Sequence, residues 1–226
     1  NIKIDKNYNV DIISFSYDCS YADYYADMSA ICKGCIAINE ISFKVPYRTE
    51  AFARNFLASY SIADSLGVGR QNIQKALNDF LLPKGRGEII KIDNIRIIND
   101  TYNANLDSMV KGIGQLANFK AENIKVAIVI ADMLELSSKS IRIHQKLGEY
   151  INTIDFVDGV YAIGDFMKHA MPVIDNGSIN KKYYKTKSDF VDEFKKELSE
   201  YGVIYLKGSR SMFLETVIED LFDNVV

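Results

Sequence analysis

Residues 95–111, IRIINDTYNANLDSMVK, contain the change of pattern that decides the fold. The first part, IRIIN, is rich in β-branched apolar residues and favours a buried strand, whereas Leu106, Met109 and Val110 recur at the spacing of a helix. The polar loop of residues 100–105 lies between the two patterns. Because a loop that leaves a strand and opens a helix lies at the carboxyl edge of a sheet, where open α/β folds bind ligands, this loop is a candidate ligand site.

The chemistry of this loop suits a nucleoside. Asp100 is its first residue, and a carboxylate there can accept hydrogen bonds from both hydroxyls of a ribose. Tyr102 offers a flat face for a base, and the helix start that follows favours anions. Asx-rich loops between a strand and a helix also serve simply as turns and caps, so these residues alone leave both interpretations open.

Four segments, taken together, resemble the Mur ligase family. In chain order they are KGR at residues 84–86, DTYNANLDSM at 100–109, DMLEL at 132–136 with His144 behind it, and KGSRSM at 207–212. The resemblance implies an ATP-dependent amide-bond ligase of peptidoglycan precursor synthesis. Its substrates would be UDP-N-acetylmuramoyl-tripeptide and D-alanyl-D-alanine, and it would use ATP with Mg²⁺.

The composition argues against several classes of protein. The 226 residues carry a formal net charge of −3 with a pI near 5.5, so neither nucleic acid nor an anionic membrane is an expected partner. No apolar run is long enough to cross a bilayer, and the first residues lack the apolar part of a signal peptide, so we expect a soluble, cytoplasmic protein. Because the chain begins with Asn1 inside a strand-like pattern, we expect a fragment that lacks the N-terminal part of the same enzyme.

Short apolar runs dominate the first part of the chain. They predict strands at residues 10–16, 29–37 and 41–45, a loop at 21–27, a hairpin turn at Lys33 and Gly34, and helices at 49–66 and 70–80. Cys19, Cys32 and Cys35 could supply three thiolates to a metal. Since the fourth ligand of a closed zinc site is not visible, ordinary reduced cysteines are the simpler interpretation.

The resemblance identifies residues 1–84 as the C-terminal part of the central ATP-binding ligase domain. It places Asn55 where the family has an asparagine that contacts adenine, and an amide can both donate to and accept from an adenine edge. Ala51 and Phe52 replace the His-Asn pair that precedes this position in the family. A local polar contact of Asn55 is the alternative.

A domain boundary is predicted at residues 82–87, LPKGRG, which combine two glycines, a proline and two cations. The resemblance identifies residues 85–226 as the C-terminal domain of the family, which moves relative to the central domain. Arg86 matches an arginine that reaches the nucleotide, and a planar cation at such a hinge can bridge phosphate or ribose oxygens. Without the neighbouring motifs, a solvated basic linker would be the preferred interpretation.

Strands and helices alternate from residue 88 onward. Helices are predicted at residues 105–118, 139–151, 188–201 and 211–222. This alternation implies βαβ units with right-handed crossovers. The predicted fold class is therefore α/β, with a Rossmann-like, mostly parallel sheet in a C-terminal domain that follows a partial α/β central domain.

Three predicted strands end in polar loops, at residues 100–105, 131–136 and 207–210. Because parallel strands place their carboxyl ends at one edge, we expect these loops to line one crevice. The resemblance assigns the nucleoside side of this crevice to Asp100, Tyr102 and Asn103, together with Asn55 and Arg86.

The last of these loops is suited to an anion. Lys207 and Arg210 carry positive charge, and Ser209 can present its hydroxyl near the start of the last predicted helix, although an N-cap with surface cations has the same pattern. The resemblance assigns Lys207, Ser209 and Arg210 to the dipeptide carboxylate. Asp132, together with Glu135, could then oppose the dipeptide ammonium group or its water shell. His144 shares a helical face with apolar residues, which favours a structural, hydrogen-bonded histidine.

The sequence contains no G-x-x-x-x-G-K-[ST] loop. In the family, the triphosphate loop and the magnesium ligands lie upstream of the matched segments, so no metal ligand is assigned here and the chain alone is predicted to be inactive. Two other interpretations stay open: a non-catalytic binding module derived from the ligase, and a different superfamily member such as a folylpolyglutamate-synthase-like enzyme. The KGSRSM and DMLEL segments argue against the second.

Overall fold

The computed structural model describes residues 12–120 and 123–222. Its contacts divide the chain into two compact units, Asn1–Leu81 and Leu82–Val226. Of the strand predicted at residues 10–16, Val10 and Asp11 lie outside the described residues. No helix in the described ranges is both long enough and apolar enough to cross a membrane.

The first unit contains a four-stranded sheet in the order β1-β2-β3-β4. Its strands are β1 (Phe15–Ser16), β2 (Tyr24–Asp27), β3 (Cys35–Ile38) and β4 (Ile41–Lys44). β1 and β2 are parallel, and the other neighbours are antiparallel. Two helices, α1 (Glu50–Ser65) and α2 (Arg70–Asn78), cover the sheet and bury Phe56, Leu57, Ile73 and Leu77 with Phe43.

Three predictions for this sheet were wrong. Residues 29–37 do not form one strand, because a 3₁₀ turn at Ile31–Lys33 precedes β3. The hairpin turn lies at Asn39 and Glu40, with φ of 46° and 68°, and not at Lys33 and Gly34. Asn39 suits this turn because asparagine tolerates left-handed backbone, and its side chain also accepts a hydrogen bond from the N–H of Tyr25 at 2.8 Å. The segment predicted as a loop contains β2, because its backbone pairs with β3.

The helix ends follow the predicted signals more closely. The Oγ1 atom of Thr49 accepts a hydrogen bond from the N–H of Phe52 at 3.2 Å and caps α1. Gly67, with φ of 80°, ends α1 in the left-handed conformation that glycine permits. The second helix ends at Asn78, two residues earlier than the predicted 80.

The second unit is built on a six-stranded sheet in the order β5-β6-β10-β7-β8-β9. The strands are β5 (Glu88–Ile92), β6 (Ile95–Asn99), β7 (Val126–Ala131), β8 (Gly159–Ile163), β9 (Asn180–Tyr184) and β10 (Val203–Lys207). Only the β5–β6 pair in this sheet is antiparallel. The helices are α3 (Leu106–Gly114), α4 (Ala117–Lys120), α5 (Ser140–Asn152), α6 (Lys187–Phe194) and α7 (Glu215–Leu221).

Helices cover both faces of this sheet. Met109 and Ile113 of α3 and Leu147 and Ile151 of α5 belong to the core on one face. Phe190 and Phe194 of α6 and Val217 and Ile218 of α7 belong to the core on the other face. The central strands are buried along their whole length, as expected for parallel strands between two helical layers. The predicted α/β fold with a mostly parallel sheet is confirmed.

Three helices of this unit differ in extent from their predictions. The predicted helix 105–118 is divided into α3 and α4, and the predicted helix 188–201 ends at Phe194 and is followed by a 3₁₀ turn at Leu198–Glu200. The last helix begins at Glu215 instead of residue 211. Phe213 adopts left-handed backbone with φ of 49°, which interrupts the helical path.

Candidate functional site

The candidate site lies at the carboxyl edge of the six-stranded sheet. Strands β6, β10 and β7 are parallel neighbours, and each ends in one of the predicted polar loops. The backbone joins these loops directly, because the N–H of Asp100 donates to the carbonyl of Leu206 at 2.9 Å and the N–H of Ser209 donates to that of Asp132 at 3.0 Å. The structure therefore brings the three loops together along one edge.

Asp100 and Lys207 form an ion pair at the centre of this edge. The Nζ atom of Lys207 lies 2.6 Å from Oδ2 of Asp100 and donates a second hydrogen bond to the carbonyl of Asn103 at 3.0 Å. The Lys207 side chain is 4% exposed, whereas that of Asp100 is 24% exposed. Within the described part of the chain, both hydrogen bonds of the Asp100 side chain involve Oδ2, and Oδ1 accepts none.

Tyr205 was not predicted as part of this site. Its hydroxyl donates to Oδ2 of Asp100 at 2.9 Å from inside the core, and burial together with the adjacent carboxylate holds the pKa of Tyr205 well above its usual value. A tyrosine within a continuous apolar strand is the one sequence signal that could have indicated it, because a buried hydroxyl needs a polar partner.

The segment before β5 is hydrogen-bonded to the first loop. The N–H of Tyr102 donates to the carbonyl of Gly85 at 2.9 Å, and Gly85 adopts a φ of 75° with its Cα face close to Thr101 and Tyr102. This arrangement places the guanidinium carbon of Arg86 4.0 Å from the centroid of the Tyr102 ring, a cation–π contact. Tyr102 as a whole is 42% exposed.

A second guanidinium approaches the same ring. The Cζ atom of Arg210 lies 5.9 Å from the Tyr102 centroid, and its Nη1 atom forms an ion pair with Oε1 of Glu215 at 2.7 Å. The structure thus brings Arg86, assigned to the nucleotide, and Arg210, assigned to the dipeptide, to one aromatic side chain. Both arginines are exposed to solvent.

Asn103 and Asn105 shape the loop. The Oδ1 atom of Asn103 accepts a hydrogen bond from the N–H of Ala104 at 2.8 Å, and its carbonyl accepts from Lys207. Asn105 caps α3 through a reciprocal capping box with Ser108. These contacts keep the loop in one conformation, so the loop is at once a helix cap and part of the candidate site.

Asp132 is buried and accepts hydrogen bonds from the backbone of a neighbouring loop. Its side chain is 5% exposed, and its oxygens accept hydrogen bonds from the backbone N–H groups of Phe166 and Met167 at 2.8–3.1 Å. Gly164 allows this approach, because a Cβ atom there would lie 2.5 Å from the Asp132 carboxyl carbon. Asp132 therefore positions the loop after β8, and its assignment to the dipeptide ammonium group stays a prediction.

His144, which lies in α5, supports the loop after β7. Its Nδ1 atom donates to the carbonyl of Ser140 at 2.7 Å, and its Nε2 atom accepts from the N–H of Met133 at 3.0 Å. This pair of contacts requires the neutral ring, and burial lowers the pKa of His144 below its usual value despite the nearby carboxylate of Asp132. The structure agrees with the structural role predicted for this histidine.

Ser209 connects the second and third loops. It is 5% exposed, and its Oγ atom accepts a hydrogen bond from the N–H of Leu134 at 2.7 Å. Gly208 makes room for this connection, since a Cβ atom there would lie 2.8 Å from that of Ala131. The buried hydroxyl is thus committed to the loop contact in this conformation.

The remaining predicted residue, Asn55, lies in the first unit. It is exposed on α1, and its carbonyl accepts a hydrogen bond from Oγ of Ser59 at 3.0 Å. Cys19, Cys32 and Cys35 in that unit are free cysteines. Within the described ranges, no group of three or more His, Cys, Asp or Glu side chains could hold a metal ion.

Comparisons with known proteins connect this geometry to a family. The family model described as "Mur ligase, glutamate ligase domain" matches residues 85–210. Proteins named "UDP-N-acetylmuramoyl-tripeptide--D-alanyl-D-alanine ligase" from Rickettsia prowazekii and Haemophilus influenzae are 35% and 31% identical, over 79% and 82% of this chain. The chain spans 39% and 40% of their lengths. The crystal structure of MurF from Acinetobacter baumannii, 24% identical, has a TM-score of 0.77 and shares the fold over 93% of this chain and 47% of its own.

Proposed function

The chain belongs to the Mur ligase family, and from this premise we propose that it is part of an ATP-dependent ligase that adds D-alanyl-D-alanine to UDP-N-acetylmuramoyl-tripeptide. The names of the relatives from Rickettsia prowazekii and Haemophilus influenzae support this substrate pair. We place the activity in the cytoplasm, where the nucleotide-linked precursor would be made. Residues 1–84 are assigned to the end of the central ATP-binding domain and residues 85–226 to the C-terminal domain.

The proposed reaction has two steps. ATP first phosphorylates the terminal carboxylate of the tripeptide, which releases ADP, and the amine of the dipeptide then attacks the acyl phosphate and expels phosphate. Positive charge and fixed positions are what a protein supplies to such a transfer. We assign the triphosphate loop and most ligands of Mg²⁺ to the part of the enzyme that precedes this chain.

The observation that carries the proposal is the carboxylate of Asp100, which is 24% exposed. One oxygen is occupied by Lys207 and Tyr205, and the other is left for a ligand. A carboxylate oxygen beside an exposed aromatic ring and a guanidinium suits the hydroxyls and the base of a nucleoside. We therefore assign four residues to the nucleoside side: Asp100, Tyr102, Asn103 and Arg86. Asp100 and Arg86 are assigned as direct contacts, and Asn103 acts through its loop.

Asn55 is assigned to adenine on the basis of the family pattern and its exposed position on α1. For the acceptor side, we assign the dipeptide carboxylate to Arg210, which is 57% exposed. Lys207 is buried and acts on the site through its contacts with Asp100 and Asn103. Ser209 and Asp132 hold the loops in place through their hydrogen bonds.

Phosphate release by the complete protein tests the proposal. We expect release to require ATP, Mg²⁺, UDP-N-acetylmuramoyl-tripeptide and D-alanyl-D-alanine together, with the ligated pentapeptide product detected by mass spectrometry. The chain of residues 1–226 alone is expected to release no phosphate. Turnover of ATP by this chain alone would contradict the assignment of the triphosphate site to another part, and a complete protein that binds the substrates without ligating them would favour a non-catalytic module.

A further inference from the structure

Tyr205 places a hydroxyl beneath the candidate site. Tyr205 is 2% exposed and lies in the core between the sheet and α3. Its hydroxyl donates to Oδ2 of Asp100 at 2.9 Å. Burial raises the pKa of Tyr205, so the phenol stays protonated and remains a donor at all ordinary pH values. The hydroxyl thus acts on a residue of the site without facing the ligand itself.

The neighbouring helix leaves space for this hydroxyl. A Cβ atom at Gly112 of α3 would lie 2.0 Å from Oη and 2.9 Å from Cζ of Tyr205. Any larger residue at Gly112 would therefore displace the ring. The missing side chain at Gly112 therefore leaves the space that the phenol of Tyr205 occupies.

Two donors from one strand bind a single carboxylate oxygen. Tyr205 and Lys207 are two residues apart in β10, so their side chains lie on the same face of the sheet. Both reach Oδ2 of Asp100, at 2.9 Å and 2.6 Å. A lysine side chain alone can follow a moving carboxylate, whereas a phenol on a packed ring cannot. The tyrosine therefore fixes the rotation of the carboxylate and the direction in which Oδ1 points.

We propose that Tyr205 is a positioning residue for the nucleotide: it holds Oδ2 of Asp100 so that Oδ1 faces the ribose hydroxyls. This inference rests on the proposed function, since it assigns the ribose to Asp100. It adds a determinant that lies in the core, outside the loops that carry the family motifs.

The test is a nucleotide discrimination experiment on the complete enzyme. The kcat/KM for ATP is compared with those for 2′-deoxy-ATP and 3′-deoxy-ATP, first in the wild-type enzyme and then in Tyr205→Phe. The variant keeps the ring and removes only the hydroxyl. We expect kcat/KM for ATP to fall roughly five- to tenfold, mostly through KM, and the preference for ATP over at least one deoxy analogue to shrink by a similar factor.

Tyr161→Phe is the matched control. Tyr161 is also a buried tyrosine of the same sheet, and its hydroxyl donates to a carboxylate, Glu197, at 2.6 Å, but it belongs to the core on the other face. This control loses a buried tyrosine–carboxylate hydrogen bond of the same kind. We expect its ATP preference to equal that of the wild type even where its thermal stability is reduced.

Gly112→Ala supplies a second and independent perturbation. It should weaken the ATP preference by displacing the ring, and it should do so much less in the Tyr205→Phe background, where the Oη atom at 2.0 Å is absent. Equal effects of Gly112→Ala in both backgrounds would argue against the contact.

The outcomes separate the two proposals. A wild-type enzyme without ligase activity refutes the proposed function. An active wild-type enzyme whose ATP preference is unchanged in Tyr205→Phe, or whose preference falls equally in Tyr161→Phe, refutes the positioning role of Tyr205 and leaves the proposed function standing.

Discussion

The Nζ atom of Lys207 lies 2.6 Å from Oδ2 of Asp100, although 107 residues separate the two in the sequence. The lysine is buried and the aspartate is partly open to solvent. An ammonium group taken out of water needs compensation from its partners, and here those partners are Asp100 and the carbonyl of Asn103. The contact therefore links the strand end that is assigned to the nucleotide with the loop that is assigned to the dipeptide.

Replacing Lys207 by methionine should affect both stability and nucleotide use. The change leaves Asp100 without its cation, and we expect a loss of roughly 1–3 kcal/mol in the free energy of unfolding and about a tenfold higher KM for ATP. Lys111→Met is the control, because Lys111 pairs with Asp107 on the solvent-exposed side of α3. The measurements are denaturant unfolding and steady-state kinetics of the complete enzyme. Equal KM values for ATP in the two variants would show that the ion pair does not contribute to nucleotide binding.

Tyr102 should act through its ring rather than through its hydroxyl. Because the guanidinium of Arg86 lies 4.0 Å from the ring centroid and that of Arg210 lies 5.9 Å from it, loss of the ring removes one contact from each cation. We expect Tyr102→Leu to raise the KM for ATP and the KM for D-alanyl-D-alanine by about three- to tenfold, and Tyr102→Phe to leave both near the wild-type values. An increase for ATP alone would limit the role of Tyr102 to the nucleotide side.

His144 should make stability depend on pH. Burial lowers the pKa of His144 in the folded protein, and Asp132 and His169 are the charged or titratable neighbours that act on it. In the unfolded chain its pKa is near 6.5, so below that pH the unfolded state binds a proton that the folded state does not. The contribution is therefore fully present above pH 6.5 and is lost as the pH falls toward the lowered folded pKa.

His144→Gln tests this dependence. We expect the variant to lose roughly 1–3 kcal/mol at pH 7.5, because a glutamine amide does not keep the geometry in which the ring bonds both the N–H of Met133 and the carbonyl of Ser140, and to show a flatter decline in stability between pH 6.5 and 5 than the wild type. Denaturant midpoints at several pH values give the comparison. His169→Gln removes the other histidine of the chain but leaves the burial of His144, the main cause of its lowered pKa, so it should change the slope much less than His144→Gln does. Parallel curves for the wild type and His144→Gln would show that the histidine does not titrate as argued.

Glu197 should stabilise the fold without affecting the reaction. Its carboxylate accepts hydrogen bonds from Tyr161 at 2.6 Å and Asn180 at 3.1 Å and pairs with Lys182. Burial alone would raise the pKa of Glu197, but these partners outweigh it and the pKa lies below its usual value. We expect Glu197→Gln to lose about 1–3 kcal/mol of stability with unchanged KM values, and exposed Glu200→Gln to change neither. A changed KM in Glu197→Gln would indicate coupling of this cluster to the site.

Local patterns were sufficient for the order and type of most elements of the second unit. Strand and helix periodicity gave the α/β class, and the family resemblance carried by four short motifs is confirmed by the match over residues 85–210. Boundaries were less predictable where no strong local signal exists. Phe213 adopts left-handed backbone, and α7 therefore begins later than predicted. No glycine or asparagine at this position signals that conformation in the sequence. In the first unit, β2 was missed because its strand character depends on pairing with β3.

The sequence by itself determined which residues carry the chemistry: a carboxylate, an aromatic ring and several cations follow predicted strands, and parallel strands must place those loops at one edge. Only the tertiary structure decided how each side chain is used. Asp132 and Ser209 accept hydrogen bonds from backbone N–H groups. Lys207 and Tyr205 both donate to Oδ2 of Asp100, and neither donates to Oδ1. The physical reason is that a buried polar atom must find a partner, and the partner is chosen by packing between strands and helices that are far apart in the chain.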